Sequence, residues 1–213
     1  MKLLIQLILF WLYFYYNSEL NYLLFLYNKL WMIMNFKLFK LYVRIYYNFL
    51  LGKINNSIPK LNINSLGIEL EKSLLIIFPL DEELFRVAAY SFRKLVDYDN
   101  SHKYTLLIDE RFKNLFYFNS TQITYCKFDN KKESISYSSH IDSDLFDLII
   151  NLNVNEYFEI YKLIGNIDCK YKVGIKSLLS SKFYNIEYEL DINGTTESAY
   201  QNIKLLLGYK WII

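Results

Sequence analysis

The sequence has few of the residues that build the commonest metal and disulfide sites. It contains two cysteines, two histidines and six glycines in 213 residues. Cys126 and Cys169 lie far apart without a CxxC partner, so neither a disulfide framework nor a zinc site is expected. His102 and His140 lie in separate polar stretches, whereas a metal site needs clustered ligands. We therefore expect no metal and no bound cofactor.

Glycine is missing where a nucleotide-binding loop would need it. The chain has no G-x-G-x-x-G motif and no Walker A motif. The first predicted strand of the main domain is followed instead by Pro-Leu-Asp-Glu-Glu, residues 79–83. Three adjacent carboxylates would repel a pyrophosphate, which prefers glycines and a free helix N-terminus. This part of the chain is predicted to bind nucleotides poorly, and no nucleic-acid partner is expected.

Charge is unevenly distributed along the chain. Residues 1–53 carry six lysines and arginines and a single acid, Glu19, which gives +5, and the remaining residues carry 18 bases and 21 acids, which gives −3. The first quarter is also strongly apolar. Its longest uninterrupted apolar stretches are shorter than the roughly 20 residues of a bilayer-spanning helix.

Residues 35–53 have the pattern of an amphipathic helix. At about 100° per residue, Lys37, Lys40 and Arg44 form one narrow stripe, and most of the remaining circumference is apolar or aromatic. Such a helix can lie in a membrane interface, or it can pack on the domain with its basic stripe in water. Both interpretations stay open. Met32 and Met34 also precede this helix, which raises the hypothesis that the native chain starts at one of them and that residues 1–31 are upstream sequence.

From residue 72 onward, predicted strands and helices alternate. The pattern predicts a basic, membrane-associated helical segment over 1–53, a linker over 54–71 and an α/β domain over 72–213 with a mostly parallel sheet. The predicted strands are 73–78, 103–109, 123–128, 146–153, 171–175 and 184–190, with a small hairpin near 133–138. The predicted helices are 81–96, 110–116, 155–166 and 195–208, the last with Thr195 or Thr196 as N-cap and Gly208 as C-terminal stop.

In a parallel sheet, ligands bind beyond the carboxyl ends of the strands. This rule indicates four segments: 79–83, 109–111, 151–156 and 176–181. The acids Asp81, Glu82 and Glu83 have two readings there. Asp81 is a good N-cap, and acids in a first helical turn interact favourably with the helix dipole; alternatively, one of the three is a general base. The Asp-Ser-Asp at 142–144 is interpreted as a solvated loop rather than as a metal–nucleotide site.

Three segments resemble the N-terminal domain of glycosyltransferase family 9, the lipopolysaccharide heptosyltransferases and their relatives. The first is "SLLIIFPLDEELFRVAAYSFRKL" (73–95), a strand, loop and helix that ends in an Arg-x-Leu. The second is "FDLIINLNVNEYFEIYKLIGNIDCKYKVGI" (146–175), with an aromatic-Asp start, a helix and a strand ending near Gly174. The third is "ESAYQNIKLLLG" (197–208), similar to the helix that precedes the interdomain linker. Together they span about residues 72–208.

The resemblance implies the Rossmann-like, acceptor-side half of a GT-B fold, preceded by hydrophobic and amphipathic N-terminal helices. The implied reaction transfers a heptose-like sugar from a nucleotide sugar to a lipid-linked glycan, at the cytoplasmic face of the inner membrane. The implied partners are that acceptor, the membrane surface and a separate donor-binding polypeptide. The family's first loop reads Ser-Leu-Gly-Asp with the Asp as proposed base, so Asp81, Glu82 or Glu83 could each occupy its place. Candidate acceptor-binding residues are Asn151, Asn153, Asn155 and Lys176.

Overall fold

A computed structural model describes residues 36, 38–55, 58, 73–98, 103–115, 122–129, 134–138, 141, 146–190 and 195–207. The chain divides into two compact units between Tyr46 and Tyr47. The predictions for residues 1–34, for most of the 54–71 linker, for His102, His140 and Gly208 and for the 142–144 motif lie outside the described residues.

The described part of the chain contains a seven-stranded sheet that is parallel except at one edge strand. The strands are β1 (Ser73–Ile77), β2 (Lys103–Asp109), β3 (Gln122–Asp129), β4 (Ser134–Tyr137), β5 (Leu148–Asn151), β6 (Tyr171–Ile175) and β7 (Ile186–Tyr188). Their order is β4-β3-β2-β1-β5-β6-β7, and β4 pairs antiparallel with β3. Ile76 of β1 lies opposite Leu106 of β2 and Ile150 of β5, which fixes the register at the centre.

The central strands form because their side chains are apolar on both faces. Every residue of β5 and β6 is buried, as are four of the five in β1, and such continuous apolar runs are typical of parallel strands covered on both sides. Alternate residues of these strands, including Leu74, Ile76 and Ile150, join one core cluster. The sheet therefore requires covering elements on both faces.

Four helices lie in the described ranges. They are α1 (38–50, which Phe36 precedes in helical conformation), α2 (Glu82–Tyr98), α3 (Phe158–Asn166) and α4 (Thr196–Leu206). Helices α2 and α4 share the main core, where the ring of Phe92 meets that of Tyr200 edge-on at 6.0 Å. None of the helices in the described residues has both the length and the apolar character needed to cross a bilayer.

The α/β, Rossmann-like fold with a mostly parallel sheet is confirmed, and most predicted elements appear within a few residues of their expected bounds. The small hairpin predicted near 133–138 is instead a single strand, β4, which pairs antiparallel with β3. The predicted helix 110–116 is instead a short 3-10 turn, Glu110–Phe112, because the Asp109 carboxylate accepts the backbone N–H of Arg111. Helix α3 begins at Phe158 rather than at residue 155, since Tyr157 keeps an extended backbone.

The last strand and the last helix also differ from prediction in detail. The predicted strand 184–190 is limited to Ile186–Tyr188, because the Asn185 side chain binds the backbone of Lys172 and Lys170. Thr195 does occupy the N-cap position of α4, but its side chain makes no capping hydrogen bond.

Residues 47–55 belong to the same compact unit as the sheet. The ring of Phe49 stacks on that of Phe183 at 5.7 Å. Ile54 is buried against Gly165, where an added Cβ would lie 2.6 Å from the Ile54 side chain. The Asn166 amide donates to the Lys53 carbonyl and accepts from the Asn55 N–H. The Gly-Asn end of α3 therefore holds this segment.

Candidate functional site

The carboxyl ends of four parallel strands meet at one edge of the sheet. The segments that follow β1, β2, β5 and β6 are the four that the sequence indicated, and the parallel pairing confirms that they share an edge. Strand β1 lies between β2 and β5, so the chain moves outward in opposite directions on either side of it. Crevices at such a point of reversal are where open α/β sheets bind ligands.

The acidic turn after β1 begins helix α2. One carboxylate oxygen of Asp81 accepts the backbone N–H groups of Glu83 and Leu84, at 3.1 and 3.2 Å. Asp81 is therefore the N-cap, as the sequence predicted. Glu82 forms an exposed ion pair with Arg86, one helical turn later, at 2.8 Å. All three acids are exposed to solvent at the edge, so the capping role of Asp81 leaves its carboxylate accessible.

Asn153 connects the loops that follow β1 and β5 by hydrogen bonds within the fold. Its side-chain oxygen accepts the Leu80 N–H at 2.9 Å, and its amide nitrogen donates to the Phe78 carbonyl at 3.2 Å. The same nitrogen donates to the Asn151 side chain at 2.8 Å. Both asparagines are buried. Buried polar groups need such partners, so these two amides fix the shape of the edge, and their predicted role in binding an acceptor stays a prediction.

Asp109, the last residue of β2, is buried, and Arg111, two residues later, is half-exposed. The Asp109 side chain is fully buried, and it accepts Nε and Nη2 of Arg111 at 3.1 and 2.8 Å. Arg111 also donates to the Leu80 carbonyl at 3.1 Å, and its side chain is 48 % exposed. The hydrogen bond to Asp109 raises the pKa of Arg111 above its ordinary value. The edge therefore has a permanent cation in a fixed orientation, with part of the guanidinium facing solvent.

The Tyr157 hydroxyl is near enough to Asp81 and Arg111 for their charges to affect it. The Tyr157 ring meets the Phe128 ring edge-on at 5.2 Å, and its hydroxyl interacts with the Asn155 side chain, with Asp81 and with Arg111. Burial raises the pKa of Tyr157, with Asp81 adding to the effect. The hydroxyl is therefore neutral at physiological pH and available as a hydrogen-bond donor.

A hydrogen-bonded chain connects the loops after β5 and β6. The Tyr161 hydroxyl donates to Glu156 at 3.3 Å and lies 3.1 Å from the Ser177 hydroxyl. The Tyr184 hydroxyl accepts from Asn151 at 2.6 Å, and its ring lies where a side chain at position 174 would stand, which explains Gly174. Burial raises the pKa of both tyrosines. In this half of the edge the polar side chains hydrogen-bond to one another within the fold.

The predicted site residues thus separate into two groups. Asn155 and Asp81 both act on Tyr157, Asn155 through a side-chain hydrogen bond and Asp81 through its charge. Lys176 lies toward β7, where its ammonium forms an exposed ion pair with Glu189. Sequence reasoning placed Arg111 in the indicated segment 109–111 without naming it as a site residue, and it did not include Tyr157. The sequence did contain a signal for Arg111. Asp109 is an acid at the end of a mostly apolar strand, and an acid that is buried there requires a nearby cation, which the arginine two residues later supplies.

Within the residues that the structure describes, no three His, Cys, Asp or Glu side chains gather as metal ligands would. Comparisons with protein-family models, with curated proteins and with solved structures found no match. The arrangement of side chains at the edge therefore carries the functional argument.

Proposed function

We propose that the chain is the acceptor-binding half of a glycosyltransferase family 9-like enzyme. The reaction moves a heptose-like sugar from a nucleotide sugar to a hydroxyl group of a lipid-linked glycan such as a lipopolysaccharide core. It takes place at the cytoplasmic face of the inner membrane. The observation that supports this proposal is the exposure of Asp81 and Glu83 at the carboxyl edge of the sheet, next to the point where the strand order reverses.

A carboxylate at this position has a defined task in sugar transfer. It takes the proton of the acceptor hydroxyl while the hydroxyl oxygen bonds to the anomeric carbon of the sugar, and the nucleoside diphosphate leaves with the electron pair of the broken bond. Asp81 offers the carboxylate oxygen that does not cap α2. Glu82 is a weaker candidate, since Arg86 neutralises it.

Arg111 and Tyr157 complete the acceptor site in this proposal. The fixed guanidinium of Arg111 suits the anionic groups of a phosphorylated glycan, and the neutral Tyr157 hydroxyl can donate to a sugar oxygen. The acids of the turn are unsuited to the donor's phosphates. A separate donor-binding polypeptide is therefore proposed as the partner that binds the nucleotide sugar.

The test separates the carboxylate of Asp81 from its capping role. Asparagine caps helices about as well as aspartate, so Asp81→Asn should leave the unfolding midpoint unchanged. We expect the same change to slow sugar transfer to a truncated lipopolysaccharide core by roughly 10²- to 10⁴-fold. The assay uses the chain together with any donor-binding polypeptide that co-purifies with it from membranes.

Glu82→Gln is the matched control, because it removes a carboxylate from the same turn that is already paired with Arg86. Its transfer rate should stay within about twofold of the unaltered chain if Arg86 already holds that carboxylate. Unchanged transfer by Asp81→Asn and by Glu83→Gln would contradict the proposal that this turn supplies the base.

A second candidate function is a non-catalytic, membrane-associated binding module. The observation that favours it is that the acidic turn already has structural partners, since Asp81 caps α2 and Glu82 pairs with Arg86. In that case an Asp81, Glu82 and Glu83 triple alanine variant would lose stability but no binding, and no donor-binding polypeptide would co-purify.

A further inference from the structure

Helix α1 carries large apolar side chains that are open to solvent. Phe36 is 67 % exposed, Phe39 52 % and Val43 49 %. These residues are three and four positions apart, so they project from the same side of a helix. Ile45 is fully buried on the opposite side. We call Phe36, Phe39 and Val43, together with the adjacent Tyr42 and Tyr46, the aromatic face.

An exposed stripe of this kind is unusual in a water-soluble surface helix. Surface helices of globular domains turn their apolar stripe inward and their polar residues outward. Here the buried side chain and the exposed apolar side chains lie on opposite sides of the same helix. Contiguous apolar patches of this kind mark interaction surfaces, so the exposed side chains of Phe36, Phe39 and Val43 indicate such a surface.

The charges beside the aromatic face indicate the chemistry of its partner. Lys40 is exposed and lies about 40° around the helix from Phe36, with Arg44 about 40° further on. Residues 1–53 hold six basic residues and one acid. The partner is therefore apolar in its interior and anionic at its surface, since it must cover phenylalanine and valine beside lysine and arginine.

A lipid bilayer with anionic headgroups has both properties. Phenylalanine enters the boundary between headgroups and acyl chains, tyrosine stays at headgroup level, and basic side chains reach the lipid phosphates. Tyr42 and Tyr46 fit this level, because both are exposed and the Tyr42 hydroxyl donates to the Tyr46 hydroxyl at 2.9 Å on the surface of the helix.

We infer that the aromatic face, bordered by Lys40 and Arg44, binds the surface of an anionic phospholipid bilayer with helix α1 parallel to that surface. This inference does not rest on the proposed enzymatic function. It assigns the contact with lipid to named side chains of a helix that lies on the bilayer and does not cross it.

The test is sedimentation of the full chain with vesicles of equal parts phosphatidylglycerol and phosphatidylcholine, and with pure phosphatidylcholine vesicles. The double variant Phe39→Ser and Val43→Ser should reduce binding to the mixed vesicles by about tenfold for each side chain. Lys40→Gln should reduce it roughly fivefold, the equivalent of about 1 kcal/mol per basic residue. The same Lys40→Gln change should leave binding to pure phosphatidylcholine unaltered.

Tyr90→Ser is the matched control, since Tyr90 is 81 % exposed but lies on α2. It should bind mixed vesicles as the unaltered chain does. Circular dichroism would show that each variant is folded, as expected for exposed positions.

Three results would overturn the inference. The unaltered chain could bind mixed vesicles no better than neutral ones. The double variant could bind as tightly as the unaltered chain, which would assign lipid binding to other residues. Light scattering could show that the double variant loses a dimer and not lipid binding, which would make the aromatic face an interface between two copies.

Discussion

The two edges of the sheet use polar side chains in different ways. At the amino edge, Asp147 accepts the N–H and the hydroxyl of Ser73, and Lys172 donates to the Ile164 carbonyl at the end of α3. Burial lowers the pKa of Lys172, and the carbonyls at a helix end are a favourable partner for it. These side chains bind within the fold and hold neighbouring elements together.

The carboxyl edge also has buried polar side chains that connect neighbouring elements, which we call the clamp, and in addition it has exposed charged side chains. Asn151 and Asn153 bind within the fold as their counterparts at the amino edge do. Beside them, however, Asp81, Glu83 and Arg111 present charged atoms to solvent. The comparison shows that a buried polar residue at a strand end is by itself a poor indicator of function. The exposed charges that the clamp positions are the better indicator.

The largest expected effect on stability comes from breaking the clamp at the carboxyl edge. Asn153→Ala leaves the Leu80 N–H and the Phe78 carbonyl without their partners in a buried place. The free energy of unfolding should fall by about 3 kcal/mol, since each unpaired buried group costs about 1–3 kcal/mol. Urea unfolding measures the change. Asn155→Ala is the control at an exposed asparagine two residues away, and an equal loss in both variants would refute the clamp.

A smaller loss is expected at the amino edge. The Asn185 side chain accepts the Lys172 N–H and donates to the Lys170 carbonyl, both at 2.8 Å. Asn185 is only half-buried, so water can replace part of what is lost. Asn185→Ala should therefore reduce the free energy of unfolding by about 1–2 kcal/mol, again measured in urea. A loss larger than that of Asn153→Ala would reverse the comparison of the two edges.

The smallest effect belongs to the exposed acid itself. Asp81→Ala removes the N-cap of α2 and should reduce the free energy of unfolding by about 1 kcal/mol. Glu82→Ala removes one exposed i,i+4 ion pair and should reduce it by about 0.5 kcal/mol or less. Thermal unfolding of both variants checks the order. If Asp81→Ala were as stable as the unaltered chain, the capping bonds would contribute nothing.

The sheet was predictable from the sequence because its central strands are apolar on both faces. The four segments at the carboxyl edge followed from strand direction alone. The pairing of Asn153 with Leu80 did not follow, since the two residues are 73 positions apart and nothing in the local pattern relates them. Likewise, the resemblance drew attention to the acidic turn, while Tyr157 lies in a loop whose backbone only the folded sheet determines.

The central place of β1 has a consequence for how the chain folds. Strand β2, on one side of β1, follows it in the chain after a single helix. Strand β5 lies on the other side, and there Ser73 contacts Asp147, which is 74 residues further along the chain. Contacts over long sequence distances form slowly, because loop-closure entropy is lost before the contact is gained. We expect β1, β2 and β3 to assemble first and the half with β5, β6 and β7 to dock onto β1 afterwards. The hydrogen bonds of Asn153 to Leu80 and Phe78 would then be among the last contacts of the domain to form.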